Sequence, residues 1–150
     1  MQIWIDGDAC PKVIKDILFR MAIRTGTSLI VVSNHPLTIP ASRHIKRIQV
    51  GAGFDVVDQY ITEHIEPGDL VITADIPFAD AVITKGGFAL NPRGELYTVN
   101  NIKQQLSSRN FNESLRGSGM ITGGPTKQNA QDIQRFANQL DRWITQQKRI

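Results

Sequence analysis

Leu70-Val71-Ile72-Thr73-Ala74-Asp75-Ile76-Pro77 sets an apolar run, an acid and a proline in succession. Leu70–Thr73 is the most strand-like stretch in the chain, and the Pro67-Gly68-Asp69 turn precedes it. Proline has no N–H to lose in a first helical turn, so Pro77 to Lys85 is expected as a short helix closed by Gly86-Gly87. The chain opens in the same order. Gln2–Ile5 is an apolar run suited to a buried strand, Asp6-Gly7-Asp8 follows it, and Pro11 begins a helix. In that helix Val13, Ile14, Ile17, Leu18, Met21 and Ala22 recur at three-and-four spacing, and Gly26 is placed to stop it.

Further strands are expected at Leu29–Val32 and Ile45–Val50, then a helix from Asp55 to Ile65 with Val56, Val57, Tyr60 and Ile61 on one side. Phe88–Leu90 and Glu95–Thr98 flank the Asn91-Pro92-Arg93-Gly94 turn. Helices are predicted over Asn101–Leu106 and Asn110–Leu115. A Gly-rich stretch from Gly117 to Pro125 leads into a last helix near Gln128–Gln147, with Ile133, Phe136, Ala137, Leu140, Trp143 and Ile144 inward. Strands alternating with helices imply βαβ units and a mostly parallel sheet covered on both faces, a three-layer α/β/α sandwich.

The chain has 150 residues, which the length prior makes a single domain spanning 1–150. It is long enough to build a core without metal or disulfide staples, burying about 68–70% of its unfolded surface. Apolar residues make up 41% and charged residues 21%, a globular balance that excludes a disordered chain. No apolar run approaches the ~20 residues of a membrane span, and Asp6 interrupts any signal-peptide pattern. Cys10 is the single cysteine, which excludes an internal disulfide and a cysteine-based zinc site. A cytoplasmic protein is expected, with no membrane partner.

Residues 1–75 hold 7 Lys/Arg against 9 Asp/Glu and residues 76–150 hold 10 against 5, so the halves carry −2 and +5 of the net +3. Such a split suits either an enzyme that holds cations and docks a polyanion or an ordinary solvated surface.

The acids carry the sharper signal. In a parallel α/β sheet the functional crevice lies beyond the carboxyl ends of the strands. Asp6 and Asp8 follow the first strand, Asp75 follows Leu70–Thr73, and Asp80 comes one helical turn later. Carboxylates gathered there suit Mg²⁺ or Mn²⁺, hard ions with oxygen ligands that orient phosphates and acidify water. Capping is the structural alternative: Asp8 for the first helix, Asp75 for the helix after it, and Asp55 for Asp55–Ile65. Asp58 reads either as a partner of that helix dipole or as an acid pointing into the crevice. Cys10 is expected as a packed thiol, because Asp6 and Asp8 oppose its ionisation. His35, His44 and His64 have no ligand spacing, and Trp4 and Trp143 are expected in the core.

Asp6-Gly7-Asp8-Ala9-Cys10-Pro11, Thr73-Ala74-Asp75-Ile76-Pro77, Lys85-Gly86, Ala89-Leu90-Asn91-Pro92-Arg93-Gly94 and Thr122-Gly123-Gly124-Pro125 together resemble the YaiI/YqxD family of uncharacterised bacterial proteins, nearly end to end. That family is grouped with PIN-like domains, metal-dependent nucleases built on an α/β/α sandwich. The resemblance implies a PIN-like core over about 1–100, a helical elaboration over about 101–150, and a nuclease-like acidic site. It matches Asp6 and Asp75 to the acids after the two strands and Asp80 to the further helix acid. Asp58 stands where PIN domains usually have Glu, one methylene shorter, and Asp8 is an additional acid.

The expected function is therefore a Mg²⁺- or Mn²⁺-dependent phosphodiester hydrolase acting on RNA or DNA, with RNA favoured over DNA. Asp6, Asp75 and Asp80 would be catalytic, with Asp8 and Asp58 joining them around the metal. Lys85, Arg93, Arg116, Gly123, Gly124, Thr126 and Lys127 are the expected phosphate grip, the last four running into a helix N-terminus. Aromatic residues are only 7% of the chain, too few for extensive base stacking, so sequence-specific reading is not expected. The alternatives are a non-catalytic nucleic-acid-binding or regulatory module, and a phosphatase using Asp6 as nucleophile with Asp8 as acid and base. The immediate start of the first helix leaves no room for the flap such phosphatases carry.

Overall fold

Short apolar runs alternate with amphipathic stretches, and each run pairs with its neighbours before the next helix crosses the sheet. The computed structural model describes residues 1–53, 55–104, 106–107 and 129–148. Its elements are β1 (Gln2–Asp6), α1 (Lys12–Thr25), β2 (Ser28–Ser33), β3 (Ile45–Gln49), α2 (Val56–His64), β4 (Leu70–Ile72), α3 (Ile76–Thr84), β5 (Phe88–Leu90) and β6 (Leu96–Tyr97). They are followed by α4, which includes residues 99–104, and α5 (Ala130–Lys148). Every predicted strand forms: Phe88–Leu90 has its predicted bounds, β1 extends by one residue at one end and β2 by one at each end, β3 and β4 are trimmed by one, and β6 is trimmed by one at each end. The predicted helix over Asn110–Leu115 and the Gly-rich stretch lie outside the described residues.

The six strands form one sheet in the order β3-β2-β1-β4-β5-β6, parallel throughout except for the antiparallel β5–β6 hairpin. Ile3 lies opposite Leu29 and Leu70, and Ile5 opposite Val31 and Ile72. Alternate residues therefore point to opposite faces. Ile3, Ile5, Leu29, Val31, Leu70, Ile72 and Leu90 pack with residues of α1 and α5 on one face. Trp4, Ile30, Val32, Val71 and Ala89 pack with α2, α3 and Ile102 of α4 on the other. Strands buried on both faces explain why the runs read as continuously apolar.

Helix α5 buries Phe136, Leu140, Trp143 and Ile144 in the same cluster as Ile3 and Ile5. Its buried stripe starts at Asp132 rather than Ile133, which is half-buried together with Ala137. Asp132 takes the inward position because Arg135 donates to it and Arg93 forms an ion pair with it. That pair ties the β5–β6 turn to α5. Gly94 in this turn has φ +95°, and a Cβ there would come within 2.7 Å of the Arg135 backbone. Val13, expected inward, is 39% exposed in the first turn of α1.

At the opposite end of the sheet Asp69 is buried, just before β4. It accepts from Gln2 N–H (3.0 Å), the Trp4 indole N–H (3.1 Å) and Glu66 N–H (3.0 Å). A carboxylate buried with three donors is a structural tie between β1 and the turn entering β4. Among the described residues no helix is long and apolar enough to cross a membrane.

Candidate functional site

From β1 the chain crosses by α1 to β2 on one side, and it later returns to β4 on the other side of β1. The strand order therefore reverses between β1 and β4, the topological switch point where the two connections diverge and leave a crevice. Asp6 is the last residue of β1, and Thr73-Ala74-Asp75 follow β4 directly. Helix α2 brings Asp58 to the same place. Asp6, Cys10, Asp58, Thr73, Asp75 and Pro92 are among the residues lining a cavity of about 230 Å³ there.

The three carboxylates are held differently. Asp6 accepts from Asp8 N–H (2.9 Å) and Ala9 N–H (3.1 Å), so the turn after β1 folds around it. Burial raises its pKa; those two N–H groups and the Lys15 charge oppose the rise, and the Asp8 charge adds to it. Asp75 is the N-cap of α3, accepting from Phe78 N–H (3.1 Å), while its own N–H donates to the Thr73 hydroxyl (2.9 Å). The capping and crevice readings of Asp75 thus coexist in one side chain. Asp58 is half-buried, and its carboxylate accepts no hydrogen bond among the described residues. Its pKa is pushed up to about 6, first by burial and then by the charges of Asp75, Asp6 and Asp55. Asp58 lies in the first turn of α2 and also lines the crevice, so the two readings open for it coexist.

Asp55 is the acid that sequence reasoning misjudged. It stands at the N-cap of α2, but with a left-handed backbone (φ 62°) and no side-chain cap bond. An N-cap carboxylate reaches the first-turn N–H groups from an extended backbone, which Asp55 lacks. It instead lines two cavities beside the crevice, one of about 240 Å³ with Asp6 and Asp58 and one of about 370 Å³ with Asp58 and Asp75. The glycines at 51 and 53 were the available signal that this approach to α2 is unusual.

Asp8 does not cap α1, whose N-cap is Pro11. Its carboxylate accepts from Asn34 N–H (2.6 Å) and pairs with His35 Nδ1 (3.1 Å), which joins the loops after β1 and β2. It lines none of the cavities that hold Asp6, Asp58 and Asp75. Nor does Asp80, further along α3, where its carbonyl accepts from the Thr84 hydroxyl. Among the described residues, no three or more His, Cys, Asp or Glu side chains stand ready to surround a metal ion. Cys10 is buried as expected, and burial pushes its pKa up to about 12, so it stays a thiol near neutrality.

The expected phosphate grip is dispersed. Lys85 caps the end of α3 far from Asp75, and its ammonium donates to the Thr62 carbonyl. Its backbone stands nine helical residues, at about 1.5 Å each, beyond Asp75, while its ammonium sits on a residue that lines the cavity of about 370 Å³. Arg93 is at the right end of the sheet but engages Asp132. Arg116, Gly123, Gly124, Thr126 and Lys127 lie outside the described residues.

Residues 4–146 match the family described as "Uncharacterized BCR, YaiI/YqxD family". The chain is 59% identical over 143 residues to a UPF0178 protein of Shewanella baltica strain OS223, covering 95% of each chain. It is 57% identical to a UPF0178 protein of Alkalilimnicola ehrlichii over 97% of this chain and 98% of that one. A UPF0178 protein of Photobacterium profundum is 58% identical over 96% of each. No solved structure matches the chain.

Proposed function

The chain belongs to the YaiI/YqxD family, and from that premise we propose that it is a PIN-like, Mg²⁺- or Mn²⁺-dependent phosphodiester hydrolase acting on RNA. The observation that carries the reading is the meeting of Asp6, Asp58 and Asp75 in one cavity at the switch point between β1 and β4. Burial raises the pKa of Asp58, and the charges of the neighbouring carboxylates add to that rise. A divalent cation relieves both costs.

The donor set supplies hard oxygen ligands, which suits Mg²⁺ or Mn²⁺ over softer ions. The lack of a ready-made three-ligand group fits a Mg²⁺ mode in which one or two carboxylates, several waters and the substrate phosphate complete the shell. Asp58, with no hydrogen bond to give up, and Asp75 are the side chains that would hold the ion. When bound, the ion would acidify a water and neutralise charge on the phosphoryl oxygens. The backbone N–H groups on Asp6 and Asp75 fix those carboxylates in place, so little reorganisation is needed when substrate arrives. The Asp58 pKa of about 6 belongs to the cation-free crevice, and a bound cation would hold that carboxylate ionised.

Mn²⁺ titration followed by EPR tests this on wild type, Asp58→Asn and Asp75→Asn. Affinity is expected to fall at least about tenfold in each variant, with cleavage of an oligoribonucleotide falling about 100-fold or more. Equal Mn²⁺ binding by all three proteins would refute the site, and tight binding with no cleavage by wild type would leave a non-catalytic module.

A further inference from the structure

The two described basic residues expected to hold nucleic acid are engaged within the protein, Lys85 with the Thr62 carbonyl and Arg93 with Asp132, yet other cations stand beside the crevice. Lys15 on α1 reaches back to the end of β1, where its ammonium donates to the Gly7 carbonyl (3.1 Å), one residue beyond Asp6. Its charge is felt at both Asp6 and Cys10. On its other side Lys15 lines a cradle of about 200 Å³ together with Lys12, Asp16, Phe19, Leu37 and Ile39. The cradle abuts the end of β1 closely, since a Cβ on Gly7 would meet Leu37 Cδ1 at 2.5 Å. Arg47, from the edge strand β3, donates to the Leu37 carbonyl (2.6 Å) and so brings its guanidinium to the rim.

Both cations that make these bonds keep donors to spare. An ammonium has three N–H groups and a guanidinium five, and one is used in each case. Lys12 is exposed. Among the described residues Asp16 is the single acid lining the cradle, set against Lys12, Lys15 and the neighbouring Arg47. The molecule thus carries a positive ledge on the α1 side of Asp6 and a negative cleft on the other side, joined at Gly7.

We propose that Lys12, Lys15 and Arg47 form a phosphate-binding shelf that grips the backbone of single-stranded nucleic acid and leads it into the acidic crevice. The proposal rests on the hydrolase reading and supplies the grip that reading lacks. A polyanion approaching four neighbouring aspartates needs cations to offset the repulsion, and the shelf begins at Lys15, on the carbonyl one residue beyond Asp6, and continues through Lys12 and Arg47 around the cradle. Contacts of this kind recognise phosphate and carry no base sequence.

Fluorescence anisotropy of a labelled twelve-nucleotide oligouridylate in EDTA at 50 mM salt, repeated across a salt series, tests it without metal or turnover. Lys12→Gln/Arg47→Gln is expected to bind about tenfold or more weakly. Its log–log salt slope should be shallower by about 1.4, or 0.7 for each lost phosphate contact. Lys12→Gln alone, which breaks no hydrogen bond among the described residues, should lose half that slope. Lys103→Gln/Arg142→Gln removes the same net charge from exposed positions on α4 and α5 and should bind as wild type does. Equal weakening in both double variants would reduce the shelf to net charge and overturn it. So would no binding by wild type, or retention on phosphatidylserine vesicles without oligonucleotide binding. The hydrolase reading stands or falls separately, on Mn²⁺ binding by Asp58 and Asp75.

Discussion

Asp58 is the residue at which stability and the proposed chemistry pull against each other. Asp6 and Asp75 each accept backbone N–H groups, whereas Asp58 is half-buried among other acids with no such compensation. Its pKa of about 6 lies above the ordinary aspartate value because burial and three neighbouring carboxylates disfavour the charge. The folded protein therefore holds a proton there that the unfolded chain releases, and the contribution of Asp58 to stability falls as pH rises from about 4 to about 6. Asp58→Asn keeps the shape and removes the charge. It is expected to melt higher than wild type above pH 6, with the difference shrinking as pH falls from about 6 to about 4. Solvent reaches the carboxylate, so the gain is modest, but its pH dependence is diagnostic. Thermal unfolding between pH 4 and 8 in EDTA measures it, and a difference independent of pH would remove the electrostatic account of this residue.

At the scale of elements, α3 shows how one acid serves two purposes. Asp75 caps the helix through Phe78 N–H and also lines the crevice, so its substitutions separate folding from binding. Asp75→Ala is expected to lose about 1 kcal/mol of stability with the cap, while Asp75→Asn, itself a good cap, should lose far less. Both should lose Mn²⁺ affinity. Urea unfolding alongside the EPR titration reads the two effects, and Mn²⁺ binding that survived in both variants would leave Asp75 a cap alone. The strands, the helices and this cap were legible because each depends on neighbours in sequence: apolar runs, three-and-four spacing, and an acid three residues before the N–H it accepts. Asp55 and Asp8 were not legible in the same way. Asp55 depends on a left-handed backbone, and Asp8 on Asn34 and His35, which reach it only after β2 has paired beside β1.

For the whole molecule, the order of strands converts a scattered set of acids into one place. Asp6, Asp58 and Asp75 are far apart in sequence, and the reversal between β1 and β4 gathers them. Asp6 and Asp75 could be anticipated from strand ends alone, whereas the sequence leaves Asp58, on α2, open. The cations could not be anticipated, because cutting the chain into acidic and basic halves hides Lys12, Lys15 and Arg47 inside the half of net −2. The same three-dimensional logic makes α5 part of the core. Phe136, Leu140, Trp143 and Ile144 are at most 4% exposed and share a cluster with Ile3, Ile5 and Ile72 on the strands that end at the crevice. Burying a large apolar side chain is worth roughly 1.5–3 kcal/mol, so these four together approach the whole stability of a typical domain, about 5–15 kcal/mol. A chain ending at residue 128 would expose that face of the sheet and break the Asp132–Arg93 tie to the turn beside the crevice. It is expected to lose cooperative thermal unfolding, bind an apolar dye and fail to bind Mn²⁺. Retention of a sharp transition within a few degrees of the full chain, with Mn²⁺ still bound, would instead make β1–β6 with α1–α4 sufficient to build both the core and the site.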